Sequence, residues 1–224
     1  MKPDVYTPSG AVISQDQLYR YFLWRRWGTG RVITWLMLNP STADANTNDA
    51  TIRKCIGFAK RWGYDGIHVL NLFALRSRDP LCLLDNLLRV ECSLCGHKWT
   101  RLETECVGPW PCENCGRQFN DIGEAATGEV DIWHDPFGPE YTLHLGLALT
   151  ASTDPVIAAW GCESTLRKSP ILKARPGVVL SKIREIAPNV PIECLGMSKT
   201  GNPYHPLMLG YDTPRIPFEW KQAA

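Results

Sequence analysis

Five side chains able to orient, accept or move a proton stand out in this chain: Asn39, Asp44, Asp49, Asn71 and His205. Asn39 opens the stretch Asn39-Pro40-Ser41-Thr42-Ala43-Asp44, and His205 precedes Pro206. An asparagine can hold a water through its carbonyl but cannot deprotonate it, whereas a carboxylate or a neutral imidazole can take a proton. An imidazole can also donate to an oxygen that acquires negative charge. The Asn-Pro-Ser-Thr stretch is a candidate active-site loop. It reads equally as an ordinary turn with Ser41 or Thr42 capping the next helix. His205 sits in a loop dense in Gly and Pro, Lys199 to Leu209, where it is either a positioned imidazole or a structural residue.

Apolar runs indicate what must carry these groups. Val32 to Leu38 is an apolar run that reads as a buried parallel strand, ended by Asn-Pro because proline cannot donate to a ladder. Ile67 to Phe73 is a second strand with Asn71 near its end, Pro155 to Gly161 a third ending in Trp160-Gly161, and Pro191 to Gly196 a fourth. Helical spacing predicts helices over Asp49 to Trp62, Tyr141 to Ala151 and Val178 to Ala187. Leu18 to Arg31, with large apolar and basic residues interleaved, reads as a strand or hairpin, or as a short helix. Alternating strands and helices predict a three-layer α/β/α fold around a central, mainly parallel four-stranded sheet. In such sheets ligands bind beyond the carboxyl ends of the strands, where Asn39 and Asn71 fall.

The chain has 224 residues and a net charge of +1, which conceals a division. Residues 1–80 carry 11 Lys+Arg against 6 Asp+Glu, and residues 81–134 carry 4 against 9. That middle segment contains Cys92-Ser-Leu-Cys95 and Cys112-Glu-Asn-Cys115, each followed by glycine. Two such knuckles suit a tetrahedral structural Zn2+, so the segment is expected to be a zinc ribbon inserted between 1–80 and 135–224. A pair of redox motifs is the competing reading. All four positions would be filled, so the metal would hold the segment together rather than perform chemistry. No apolar stretch suffices to cross a bilayer, and the first residues lack a secretory pattern. Thiol-rich metal binding then points to a cytoplasmic protein.

The order of these motifs resembles the uracil-DNA glycosylase superfamily. Leu36-Met37-Leu38-Asn39-Pro40 is similar to its first motif without the glycine, and Val69 to Arg76 to its base-reading strand and arginine loop. Ala158 to Gly161 with Lys168 resembles its Trp-Gly strand, and His205 to Leu209 its His-Pro loop and apolar wedge. A nearer likeness is to an uncharacterised bacterial and phage family with L-N-P-S-T-A-D, N-L-F-A-x-R and H-P-L signatures. The resemblance implies that residues 1–80 and 135–224 form a glycosylase-like domain that acts on DNA as a monomer and hydrolyses an N-glycosidic bond. Asn39 would then orient water with help from Asp44 or Asp49, and His205 would stabilise the departing base. Asn71, Ser41 and Phe73 would contact the flipped base, and Arg76, Lys168, Lys199, Leu207 and Met208 the DNA.

Two departures shape the expected substrate. Asn39 stands where the uracil-specific branch has a carboxylate, and Ser41 where that branch has a bulky tyrosine. The small serine leaves room for a C5-substituted pyrimidine, such as the hydroxymethylated or glycosylated bases of phage DNA. A non-catalytic reader of modified bases and a hydrolase of free nucleosides or nucleotides are the alternatives. No P-loop is present.

Overall fold

The computed structural model describes residues 9–85, 88–91, 98–101, 110–111, 118–119, 138, 140–149, 154–161 and 164–220. Two compact units divide the chain, Met1–Pro80 with Phe137–Ala224, and Leu81–Pro136. In chain order the first unit begins with β1 (Ser9–Ile13), β2 (Arg20–Arg26), β3 (Val32–Met37), α1 (Ala50–Arg61) and β4 (Gly66–Asn71). The second holds α2 (Cys82–Asp85), β5 (Leu88–Glu91), β6 (Lys98–Arg101), β7 (Trp110–Pro111) and β8 (Gln118–Phe119). The first then resumes with α3 (Tyr141–Leu149), β9 (Val156–Ala158), α4 (Pro170–Ile186), β10 (Ile192–Cys194) and β11 (Ile216–Pro217).

The first unit is built on a seven-stranded mixed sheet in the order β1-β2-β4-β3-β9-β10-β11. The expected four-stranded, mainly parallel three-layer fold is therefore wrong. β1 pairs antiparallel with β2, β2 with β4, and β11 with β10, so half the pairings are antiparallel. The connection from β1 to β2 is too short for a crossover, and such strands can only pair antiparallel. β2 falls within Leu18 to Arg31, read as a strand or hairpin, but Arg20, Arg25 and Arg26 interleaved with aromatic residues kept it out of the apolar runs assigned to the sheet.

β4, β3, β9 and β10 are parallel neighbours, with Leu36 opposite Leu70 and Ala158. Ile33, Trp35, Met37, Ile67 and Val69 present one buried face. Against it α1 buries Ile52, Cys55, Phe58 and Ala59, spaced so that one stripe faces the sheet. Phe58 and Trp62 both pack on the ring of Trp35. α3 packs on β2 and β4 and also against α4. The helix α1 starts at Asp49, whose carboxylate accepts from the Ile52 amide at 2.8 Å, and stops before Gly63 at φ 76°.

β5 pairs with β6 and β7 with β8, each antiparallel, in the second unit. Cys92, Cys95, Cys112 and Cys115 lie outside the described residues. Among the described residues no group of three or more His, Cys, Asp or Glu could hold a metal ion, so the structure gives the expected Zn2+ no support. Spacing makes four thiolates available but does not by itself converge them within about 2.3 Å of one ion. Among the described residues no helix is long and apolar enough to cross a membrane.

Candidate active site

The carboxyl ends of β3, β4 and β9 open onto one cavity of about 450 Å³, within the range of small-molecule sites. Asn39, Ser41, Asp49, Asn71 and His205 all line it, although as many as 166 positions separate them in sequence (39 to 205). Asn39 follows β3 directly. Its Nδ2 donates to the carbonyls of Ser77 at 3.0 Å and Pro40 at 3.3 Å. Both amide hydrogens are thereby used, and the Oδ1 acceptor is the group left for a ligand or water.

Asn71 ends β4 and is only 3% exposed. Its Oδ1 accepts from Arg20 Nη2 at 3.2 Å, and Arg20 Nη1 donates to the Ala43 carbonyl at 2.9 Å. A guanidinium only donates, so this contact orients the Asn71 amide with its NH2 away from Arg20. The backbone carbonyl of Asn71 accepts from Tyr141 Oη, and the next carbonyl, of Leu72, from Arg175 Nε at 2.7 Å. The end of β4 is thus held by Arg20 through the Asn71 side chain and by the stacked Tyr141 and Arg175 through its carbonyls.

His205 is held just before a short 3-10 turn, Pro206–Met208, with Nδ1 accepting from the Leu207 amide at 3.3 Å. The proton of the neutral ring therefore sits on Nε2. Burial lowers the imidazole pKa below its usual value, and the nearby Asp49 carboxylate opposes that shift. At neutral pH the ring is an uncharged Nε2–H donor. Gly161 makes room for it: at φ 86°, a Cβ there would lie 3.1 Å from His205 Cβ. Trp160 fixes this corner by donating from Nε1 to buried Asn202 at 3.0 Å.

Asp49 contributes twice, as the cap of α1 and as the carboxylate in the cavity. Asp44 does not line it. Its Oδ1 accepts from the Asn46 and Thr47 amides at 2.8 Å, which lowers its pKa and makes it a loop-forming residue. Phe73 is buried in the core away from the cavity lining. Arg76 turns aside to donate to the Gln17 carbonyl at 3.1 Å, and exposed Lys168 and Lys199 do not line the cavity. Leu207 and Met208 are 41% and 88% exposed beyond His205.

Two cations of the lining are absent from the sequence expectations. Arg20 is buried under Asn71; burial lowers its pKa to about 10, against the opposing charge of Asp49, so it stays protonated. Arg78 is exposed on the loop that supplies Ser77. Its signal was the Arg-Ser-Arg run after the second apolar strand, of which only Arg76 drew attention. Arg20 was visible only as one of the basic residues interleaved in Leu18 to Arg31, because its role depends on β2 pairing beside β4.

Residues 20–91 and 120–207 match a family described as "Protein of unknown function (DUF1643)". Every cavity residue named above falls within those two stretches, and the interval between them, 92–119, contains the four cysteines of the two knuckles. No curated protein and no solved structure matches. The matching family is not the uracil-DNA glycosylase superfamily, so membership of that superfamily is not supported and the label of a glycosylase-like domain falls with it. Polar residues at the carboxyl ends of parallel strands are a general ligand-site arrangement, so four short motifs there do not by themselves specify a family.

Proposed function

We propose that this chain, which belongs to the DUF1643 family of unknown function, is a DNA glycosylase that hydrolyses the N-glycosidic bond of a pyrimidine. One observation carries this reading. An acceptor that cannot ionise (Asn39 Oδ1), an oriented amide (Asn71) and a neutral imidazole donor (His205 Nε2–H) share one cavity. Such a set suits a bond whose cleavage needs little base catalysis but leaves an anion to be stabilised. In glycosidic hydrolysis, water forms a bond to the anomeric carbon as the bond to the base nitrogen breaks. The base departs with the electron pair. His205 donates to its developing oxyanion, Asn39 holds the water, and Asp49 is the carboxylate available to receive the water's proton.

Ser41 adds the finer part of the proposal. Its small side chain lines the cavity and supports a substrate carrying a substituent at C5 of the ring. The base is flipped from the duplex into the cavity, and exposed Leu207 and Met208 fill the vacated space. The cavity volume also suits a whole nucleoside, which favours hydrolysis of free nucleosides as the second reading.

An abasic-site assay over duplexes bearing plain, uracil and C5-modified pyrimidines tests the proposal. Alkali-labile breaks are expected at the modified base, reduced about 10²- to 10³-fold by His205→Ala, the usual loss for one oxyanion donor. Asn39→Ala is expected to slow cleavage by about 10²-fold through misplaced water. Release of base from free nucleosides alone would favour the second reading. Base-selective binding without abasic product from any duplex would overturn both.

A further inference from the structure

The outer face of α1 carries Arg53, Lys54, Lys60 and Arg61, and the helix contains no acidic residue. With Gly57 between them, these positions follow the i, i+1, i+4, i+7, i+8 spacing of a single helical face. Arg53 closes the first turn, where the helix dipole opposes positive charge, and Lys60 and Arg61 lie in the last turn, where it favours them.

Aromatic rings hold the stripe in place. Lys54 Nζ lies 4.0 Å and Arg61 Cζ 4.3 Å from the centroid of Tyr211, while Lys60 Nζ lies 5.2 Å from that of Trp27. Trp27 is itself fixed by an Nε1 bond to the Tyr64 carbonyl at 3.0 Å. Gly57 explains how Tyr211 reaches the helix: a Cβ at 57 would meet its hydroxyl at 2.4 Å. Among the described residues, Lys54, Lys60 and Arg61 form no ion pair, whereas neighbouring Arg215 pairs with Glu193 and Arg31 with Asp154. Cations seated on π faces keep their whole charge and lose little further freedom on binding.

The stripe is continuous with the cavity. Asp49, Thr51 and Ile52, at the start of the same helix, line it, and α1 packs against the turn bearing Leu207 and Met208. From Lys54 to Arg61 the helix rises about 10 Å, roughly three phosphate steps along one strand of a duplex.

We propose that this face of α1 is the seat of a nucleic-acid phosphodiester backbone, aligned so that an adjacent nucleotide enters the cavity. The inference rests on the reading of the cavity as a nucleotide site.

The test is fluorescence anisotropy of a short labelled duplex over a series of salt concentrations, with folding checked by circular dichroism. The K54Q/K60Q/R61Q triple is expected to flatten the slope of log K against log salt by roughly 2 to 3, one counterion per lost contact. Affinity should fall about tenfold or more at 0.1 M salt. A control triple of equal charge change, R167Q/K173Q/R184Q, keeps the wild-type slope. Equal effects of the two triples would overturn the proposal, as would wild-type protein binding phosphatidylserine vesicles through the stripe more tightly than duplex. His205→Ala should keep the slope while losing cleavage. Stripe-dependent duplex binding without base removal by the wild type refutes the glycosylase reading alone. Base removal with stripe-independent binding refutes this inference alone.

Discussion

At His205 the Leu207 amide occupies Nδ1, burial disfavours the imidazolium, and Asp49 partly restores it. Titration of the ring nitrogens by NMR should therefore give a midpoint below 6.5. Asp49→Asn removes the one opposing charge and should move that midpoint lower still. A midpoint that rises in this variant would mean that Asp49 does not face the ring. Arg20 offers a second test at this scale. Replacing it with methionine removes the donors that hold Asn71 Oδ1 and the Ala43 carbonyl inside the protein. A loss of about 1–3 kcal/mol in urea unfolding is expected from the unpaired acceptors. The freed Asn71 amide can then flip, so Arg20→Met should also blur discrimination among bases.

Elements position these residues, and two of them can be separated from the chemistry. Asp49 caps α1, so Asp49→Ala should cost about 1 kcal/mol of stability, while Asp49→Ser should keep the cap and most of that energy. If both variants lose cleavage equally, the carboxylate acts in the cavity and not only at the helix end. The strand end at Trp160-Gly161 makes the complementary case. Gly161→Ala forces a left-handed conformation on a residue with a Cβ and presses that atom toward His205. A destabilisation of about 1–2 kcal/mol is expected, with a larger fractional loss of activity than of folded protein. Equal losses in the two measurements would assign Gly161 to the fold alone.

Over the whole molecule, half-buried histidines tie stability to pH. Burial, aided by Arg26, pushes His68 down to about 4. His205 is lowered in the same direction. Each binds fewer protons folded than unfolded, so stability present above pH 6.5 is lost as pH falls toward the lowered value. For His68 the loss is on the order of 3 kcal/mol, from the shift of its pKa. Urea midpoints should therefore fall steeply between pH 6.5 and 4. His68→Leu should flatten that dependence, and an unchanged slope in the variant would show that other groups dominate.

What the sequence determined by itself was local. The apolar runs at 32–38 and 67–73 placed β3 and β4 to within two residues, because a strand buried on both faces must be apolar throughout. The spacing of Ile52, Ile56, Phe58 and Ala59 and the stop at Gly63 marked α1 equally well, since amphipathicity and helix stops act within one segment. Asn39, Ser41, Asp49, Asn71 and His205 were visible as polar groups at such ends. The tertiary structure decided the rest. It set β2 antiparallel beside β4, which carried Arg20 beneath Asn71 and turned the expected four-stranded sheet into a mixed sheet of seven. It also sent Asp44 into a loop, Phe73 into the core and Arg76 toward Gln17. Pairing partners and side-chain directions depend on residues far apart in sequence, and no local pattern encodes that distance.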